Sequence, residues 1–132
     1  MRKIGSVEVV GVDYTLYLYE DGEFETLQND AADRDKRYLA PAREDKIDGY
    51  CDYVQKEIRV YRDKFTDYHY FEQTVRHELV HAFLYEVGNS NHGDEDYVDK
   101  ISKWTPHIES LFHRVEMQVK IVDLKPKEDN NA

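Results

Sequence analysis

The feature that most constrains the fold is a change of hydrophobic period near the middle of the chain. Before about residue 65, apolar residues alternate with polar ones in short runs rich in β-branched and aromatic side chains, as in Glu57-Ile58-Arg59-Val60-Tyr61, which is typical of strands. Beyond it, apolar residues recur at helical spacing: Phe71, Val75, Leu79, Ala82 and Phe83. The pattern predicts an α+β fold, with a small, mainly antiparallel sheet packed on this helix.

The predicted elements fill one domain, as expected for 132 residues when domains hold ~100–200 residues. We expect a domain over residues 1–125, sheet-rich in 1–65 and helical in 66–115, with a flexible tail at 126–132. Asp21-Gly22 predicts a hairpin turn into a short strand at 24–27, and the polar segment 28–48 predicts a long loop. The other strands are expected at residues 7–10, 14–19, 49–53 and 57–61.

The motif that carries chemistry lies on the predicted helix and reads His77-Glu78-Leu79-Val80-His81. Residues four apart share a helix face, so both imidazoles can bind one tetrahedral zinc, with Zn–N distances of about 2.0–2.1 Å. Glu78 lies about 100° round the helix from His77, which places it to take a proton from water as a general base. The histidines project away from the stripe that contains Leu79. With Val80 beside them, we expect the helix to be buried on two faces.

A catalytic zinc needs a third protein ligand and one open position. Glu95 is the best candidate, because it shares a polar stripe with Asp99 and Ser102 on a second helix that closes the metal site. Asp99 would accept the outer N–H of a ligand histidine. This helix is predicted to start after Asp94 and to stop near Trp104-Thr105, before Pro106. The alternative is an acidic first turn stabilised by the helix dipole. Other downstream candidates are His92, Asp94, Asp96, His107 and His113.

Three segments resemble a known group of enzymes. HELVHAFLYEVG at 77–88 and DEDYVDKIS at 94–102 resemble the gluzincin zinc peptidases, and within them the small phage and mobile-element proteins related to the ImmA/IrrE-type metallopeptidases. GYCDYVQKEIRVYRD at 49–63 is similar to the strand pair that such proteins place beside the cleft. The resemblance implies a hydrolase that holds one Zn²⁺ through His77, His81 and Glu95, with Glu78 as the catalytic base. It also implies a phage- or prophage-encoded protein that clips a peptide or protein substrate, such as a repressor.

Composition restricts the partners and the compartment. The 18 basic and 28 acidic residues give a net charge of −10, which repels phosphate backbones and argues against nucleic-acid binding. No apolar run approaches the ~20 residues of a membrane span, and the first residues lack the apolar region of a signal peptide. The single cysteine, Cys51, is expected to be a small buried hydrophobe in a reducing compartment. We therefore expect a cytoplasmic protein, inside the host cell if it is phage-encoded.

Several interpretations of the site remain open from the sequence alone. His92 can be an oxyanion stabiliser or an alternative ligand, and Tyr97 can donate a hydrogen bond to an oxyanion. The strand at 58–61, taken as a sheet edge, can pair with an extended substrate. The alternative function is a catalytically inactive zinc-binding or protein-interaction module of the same fold. A fourth protein ligand such as His92 or Asp99 would favour it, whereas an open position favours catalysis.

Overall fold

The fold is a four-stranded sheet with a helix packed on each face, as seen in a computed structural model that describes residues 1–124 and the side chains of residues 1–120. The sheet is mostly antiparallel, so the predicted α+β class is confirmed. The predicted tail at 126–132 lies outside the described residues. No described helix is long and apolar enough to cross a membrane. The elements are β1 Arg2–Val9, β2 Val12–Tyr19, α1 Phe24–Arg37, β3 Gly49–Asp52, β4 Glu57–Tyr61, α2 Tyr68–Glu86 and α3 Glu95–Leu124.

The strand order is β1-β2-β4-β3. β1 and β2 form a hairpin whose turn is Val10-Gly11, both with positive φ (50° and 82°), as the turn that matches strand twist requires. β3 and β4 form a second antiparallel pair, and β2 and β4 join the pairs in parallel. The prediction that residues 58–61 form an edge strand is therefore wrong, because β4 lies between β2 and β3. On the cleft side the edge strand is β3.

Side chains point alternately to the two faces of the sheet, and the core therefore has two layers. One face of the sheet packs against α2. The core between them holds apolar side chains from all four strands, together with Ala82 of α2: Val9, Tyr14, Leu18, Cys51, Ile58 and Val60. The opposite face packs against α1 through Tyr19, Leu27, Ala31 and Tyr50. Because consecutive strand residues point to opposite faces, Tyr50 and Cys51 enter different layers. Phe83, predicted in the buried stripe of α2, is instead 50% exposed.

Two predictions of secondary structure between β2 and β3 are wrong. Phe24–Arg37 is the helix α1 rather than a strand followed by a long loop, so Asp21-Gly22 is not a hairpin turn. The helix buries only Leu27, Ala31 and Asp35, spaced four apart, and this stripe is too narrow and too polar to stand out in the sequence. It is stabilised by packing on the sheet, as most protein helices are.

The third helix is longer than predicted. Asp94 caps it, accepting a 3.1 Å hydrogen bond from the Tyr97 backbone N–H, and the helix continues through Pro106 to Leu124. The predicted stop near Trp104-Thr105 is therefore wrong. The chain divides into two compact units, residues 1–102 and a second beginning at Lys103. Every residue of the candidate site belongs to the first.

Candidate metal centre

Helix α2 carries the motif and is defined at both ends by its own sequence. The Asp67 carboxylate accepts hydrogen bonds from the backbone N–H groups of His69 and Tyr70 at the start of the helix. Gly88, with φ of 78°, takes the left-handed conformation that commonly follows a helix. Between these ends, His77 and His81 lie one turn apart on one face, with rings 4.9 Å apart.

Three side chains meet at this face and could hold a metal ion. The Nε2 atoms of His77 and His81 are 3.2 Å apart, and the Glu95 carboxylate lies 2.8 Å from His77 Nε2 and 3.1 Å from His81 Nε2. The ligand atoms of a tetrahedral zinc with ~2.0–2.1 Å bonds are separated by about 3.3 Å. The three groups are therefore already close to the spacing of one coordination sphere. Helix α3 supplies Glu95 in the position predicted for it.

The outer nitrogen of His81 is held by two acceptors, one of which is a backbone group. His81 Nδ1 is 2.6 Å from the His92 carbonyl and 3.0 Å from the Tyr53 hydroxyl, and that hydroxyl donates to the same carbonyl at 3.0 Å. A proton on Nδ1 leaves the lone pair of Nε2 available to a bound metal ion. This is the usual way in which an outer contact fixes the tautomer of a ligand histidine.

The outer nitrogen of His77 faces helix α3. Asp99 Oδ1 lies 3.7 Å from His77 Nδ1, within ion-pair range but longer than a direct hydrogen bond. One turn further along, the buried Ser102 hydroxyl donates to the Asp99 carbonyl at 2.9 Å and accepts from Gln73 at 2.8 Å. The predicted stripe of Glu95, Asp99 and Ser102 therefore faces α2, with Gln73 as its unforeseen partner on that helix.

Glu78 lies beside the triad and is almost fully buried, at 6% exposure. Burial raises the pKa of its carboxyl to about 7, against a partial lowering by His81 and His77. A carboxyl whose pKa lies near neutrality is suited to accept and return a proton. Its position is allowed by Gly49 on β3, since a Cβ there would lie 3.3 Å from Glu78 Cγ.

Opposite charges stabilise the metal-free cluster. Hydrogen bonds from His77 and His81 hold the pKa of Glu95 well below its usual range. The Glu95 carboxylate in turn raises the pKa of His77 above 6.5. For His81, burial works against protonation, yet its bonds to Glu95 leave its pKa raised as well. The Glu95 carboxylate therefore favours its charged form, and both imidazoles bind a proton more readily than usual while no metal is bound.

The metal-ligating group and Glu78 line a cleft of about 780 Å³. One wall is the edge strand β3 with Gly49, Tyr50 and Cys51; the segment 40–48 forms the rim, and α1 contributes Arg34 and Asp35. Of the residues that the structure describes, no fourth side chain joins the three in a metal-binding group. Toward the cleft, the three groups therefore meet no further described side chain that could act as a ligand.

The remaining candidates have other surroundings. The His92 ring packs edge-on against Tyr53 and Tyr85, so His92 acts on the site through its backbone carbonyl. Tyr97 packs with Val80, Leu84 and Val98 between α2 and α3. Cys51 is buried on β3, and burial raises the pKa of its thiol. The other predicted alternatives are outside the metal-binding group: Asp94, Asp96, His107 and His113.

Three residues at the site had no predicted role. Gly49 and Tyr53 lie in the segment predicted as a strand pair beside the cleft, but neither was assigned a contact with the motif. Arg34 lies on α1, which was not predicted as a helix. Comparisons of the chain with protein-family models, with curated proteins and with solved structures found no match.

Proposed function

We propose that this chain is a zinc-dependent peptidase that hydrolyses peptide bonds with Glu78 as general base. The observation that carries the proposal is a buried carboxyl with a pKa near 7 beside an open three-ligand group on a cleft wall. Two imidazoles and one carboxylate are a ligand set typical of catalytic zinc, which keeps a further position for water or substrate. When bound, zinc would act as a Lewis acid toward the substrate carbonyl and make water more acidic.

Different residues of the chain would hold the ion, orient its ligands and transfer the proton. His77, His81 and Glu95 hold the ion, while the His92 carbonyl and Tyr53 orient His81. The Glu78 carboxylate takes a proton from the attacking water as its oxygen adds to the peptide carbon, and then delivers that proton to the leaving amine. The free edge of β3 gives an extended peptide backbone groups to pair with.

The alternative is a catalytically inactive zinc-binding or protein-interaction module. A structural zinc site is closed by four protein ligands, whereas catalytic sites keep a position open. The group of three described ligands therefore favours catalysis. The resemblance to phage and prophage peptidases supports the same assignment and suggests a protein substrate such as a repressor.

Glu78→Gln tests the proposal, with Glu72→Gln on the same helix as the matched control. Zinc content measured by elemental analysis should stay near one ion per chain in both variants. Hydrolysis of fluorescein-labelled unfolded casein should fall ~10²–10⁴-fold in Glu78→Gln only. Full activity in that variant would disprove the base assignment. Wild-type protein that binds zinc but hydrolyses neither casein nor a mixed peptide library would favour the inactive module.

A further inference from the structure

The free edge of β3 is partly occupied by a side chain from α1. Among the described strands, β3 pairs with β4 alone. The Tyr61 N–H donates to the Asp48 carbonyl at 2.9 Å, next to this pair. Because bonded pairs alternate along an antiparallel ladder, the backbone groups of Tyr50 and Asp52 point to β4. Those of Gly49 and Cys51 point outward, toward the cleft.

Arg34 holds the outward carbonyl of Cys51. Its Nη2 donates to that oxygen at 3.0 Å, and its Nη1 donates to Asp35 at 3.1 Å. The guanidinium carbon lies 5.5 Å from the Tyr38 ring centre and 6.0 Å from that of Tyr53. The Arg34 Nε is buried and has no hydrogen-bond partner among residues 1–120, whose side chains the structure describes. A buried guanidinium donor without an acceptor is costly, so this side chain has a donor to offer.

Arg34 shares its carboxylate partner with a second arginine. Arg43 binds the same Asp35 carboxylate through Nε at 2.8 Å, so two guanidinium groups share one carboxylate. The side chain of Arg34 is 15% exposed, and screening by water is correspondingly weak. The acidic residues Glu44 and Asp45 on the rim are exposed, where water screens their charge.

We propose that Arg34 selects substrates that carry a carboxylate about two residues from the scissile bond; this inference rests on the proposed peptidase function. Gly49 contacts the catalytic Glu78, and Cys51 lies two residues further, about 7 Å along the strand. A peptide strand that pairs with the β3 edge offers its own N–H to the Cys51 carbonyl. Arg34 then exchanges this neutral acceptor for a substrate carboxylate, a stronger charge-assisted partner.

The carboxylate can come from an Asp or Glu side chain or from the chain's C-terminus. Both present the same planar pair of oxygens to the guanidinium, so the probes must separate them. We would use eight-residue peptides of one Ala/Ser sequence in three forms: a blocked peptide with Glu scanned through each position, the same series with Gln, and a form with a free C-terminal carboxylate.

The first arm measures cleavage by mass spectrometry. Zinc-loaded wild-type protein should cleave the best Glu peptide at least ~10-fold faster than its Gln counterpart, the ratio that one charge-assisted hydrogen bond supplies. Arg34→Gln should cleave both at similar rates, and the control Arg62→Gln, away from the cleft lining, should keep the preference. A free C-terminus preferred over internal Glu would identify the terminal carboxylate as the ligand. Equal cleavage of Glu, Gln and free-carboxylate forms by wild type overturns the proposal.

The second arm measures binding and does not require hydrolysis. Anisotropy of the fluorescent Glu and Gln peptides with zinc-loaded Glu78→Gln protein should show the same ~10-fold preference. If no peptide is cleaved but the Glu peptide still binds more tightly than the Gln peptide, the peptidase function is disproved and the carboxylate-binding site is retained. If Arg34→Gln does not fold, Arg34→Lys, which keeps the charge but not the fork, should show a reduced preference. A preference unchanged in the folded Arg34 variant would overturn the role of this residue.

Discussion

Glu78 occupies space that any side chain at position 49 would reduce. A Cβ at Gly49 would lie 3.3 Å from Glu78 Cγ and 2.9 Å from the Arg59 carbonyl oxygen. The backbone of β4 cannot shift without breaking hydrogen bonds, because β4 pairs with β2 on one side and β3 on the other. The edge strand thus helps to fix the position of the Glu78 carboxyl, and the motif alone does not.

Gly49→Ala should therefore lower activity more than it lowers zinc binding. A displacement of the base by about 1 Å can cost ~10²-fold in rate, whereas the three ligands are not contacted. Gly93→Ala is the matched control, since Gly93 also lines the cleft but a Cβ there meets no atom within 4 Å. The measurements are kcat/KM and a zinc titration. Equal effects of the two substitutions would contradict this account.

Glu95→Ala should weaken zinc binding as severely as His77→Ala, because each removes one of three ligands. Asp99→Asn should cost only ~10–100-fold in zinc affinity, since Asp99 acts through the outer nitrogen of His77. Asp96→Ala, one residue from Glu95 on the first turn of α3, is the control and should retain zinc. Competition titrations with a chromophoric chelator give the affinities. A variant series in which Asp99→Asn loses zinc and Glu95→Ala retains it would reverse the assignment.

Tyr53→Phe should reduce zinc affinity by ~10-fold or more without unfolding the protein. The substitution removes the hydroxyl that contacts His81 Nδ1 and the His92 carbonyl. It keeps the ring that stacks on Tyr85 at 4.5 Å. Tyr85→Phe, which alters the stacked neighbour instead, provides the comparison. Unchanged affinity in Tyr53→Phe would mean that the carbonyl alone orients the imidazole.

The stabilisation by zinc should increase with pH between about pH 5 and 8. Glu95 raises the pKa of His77 and His81 above 6.5 in the metal-free protein, and zinc must displace these protons. The histidine–Glu95 pairs stabilise the metal-free fold below pH 6.5, and this contribution is lost as the pH rises through the raised values. Melting temperatures with zinc and with chelator across this range test both signs. A zinc-dependent increment that falls with pH would disprove the linkage.

Local sequence determined the parts of this protein whose physics is local. The spacing of His77 and His81 puts both imidazoles on one face of any α-helix, and Asp67 and Gly88 set the ends of that helix. Alternation of apolar residues likewise predicted the strands of both hairpins. These features depend on residues within a few positions of each other, so they can be recognised before the fold is known.

Helix α1 and the course of α3 depended on distant partners. Residues 24–37 have too few apolar side chains to predict a helix, and their helical state follows from packing on Tyr19 and Tyr50 of the sheet. Pro106 predicted the end of α3 because proline restricts the residue before it. A proline removes only one N–H, however, and the helix continues past it.

Only the tertiary structure determines which residues surround the His77–His81 motif. Pairing of β3 with β4 brings Gly49 against Glu78, the connector after α2 puts the His92 carbonyl on His81, and α1 delivers Arg34 to the edge of β3. Each of these contacts joins two separate elements or an element and a connector, 11 or more residues apart in the chain. Sequence periodicity reports which face of an element is buried, but it does not report which element covers that face. The three residues that could hold a metal ion were therefore predictable from the sequence, whereas the contacts that position them and shape the cleft were not.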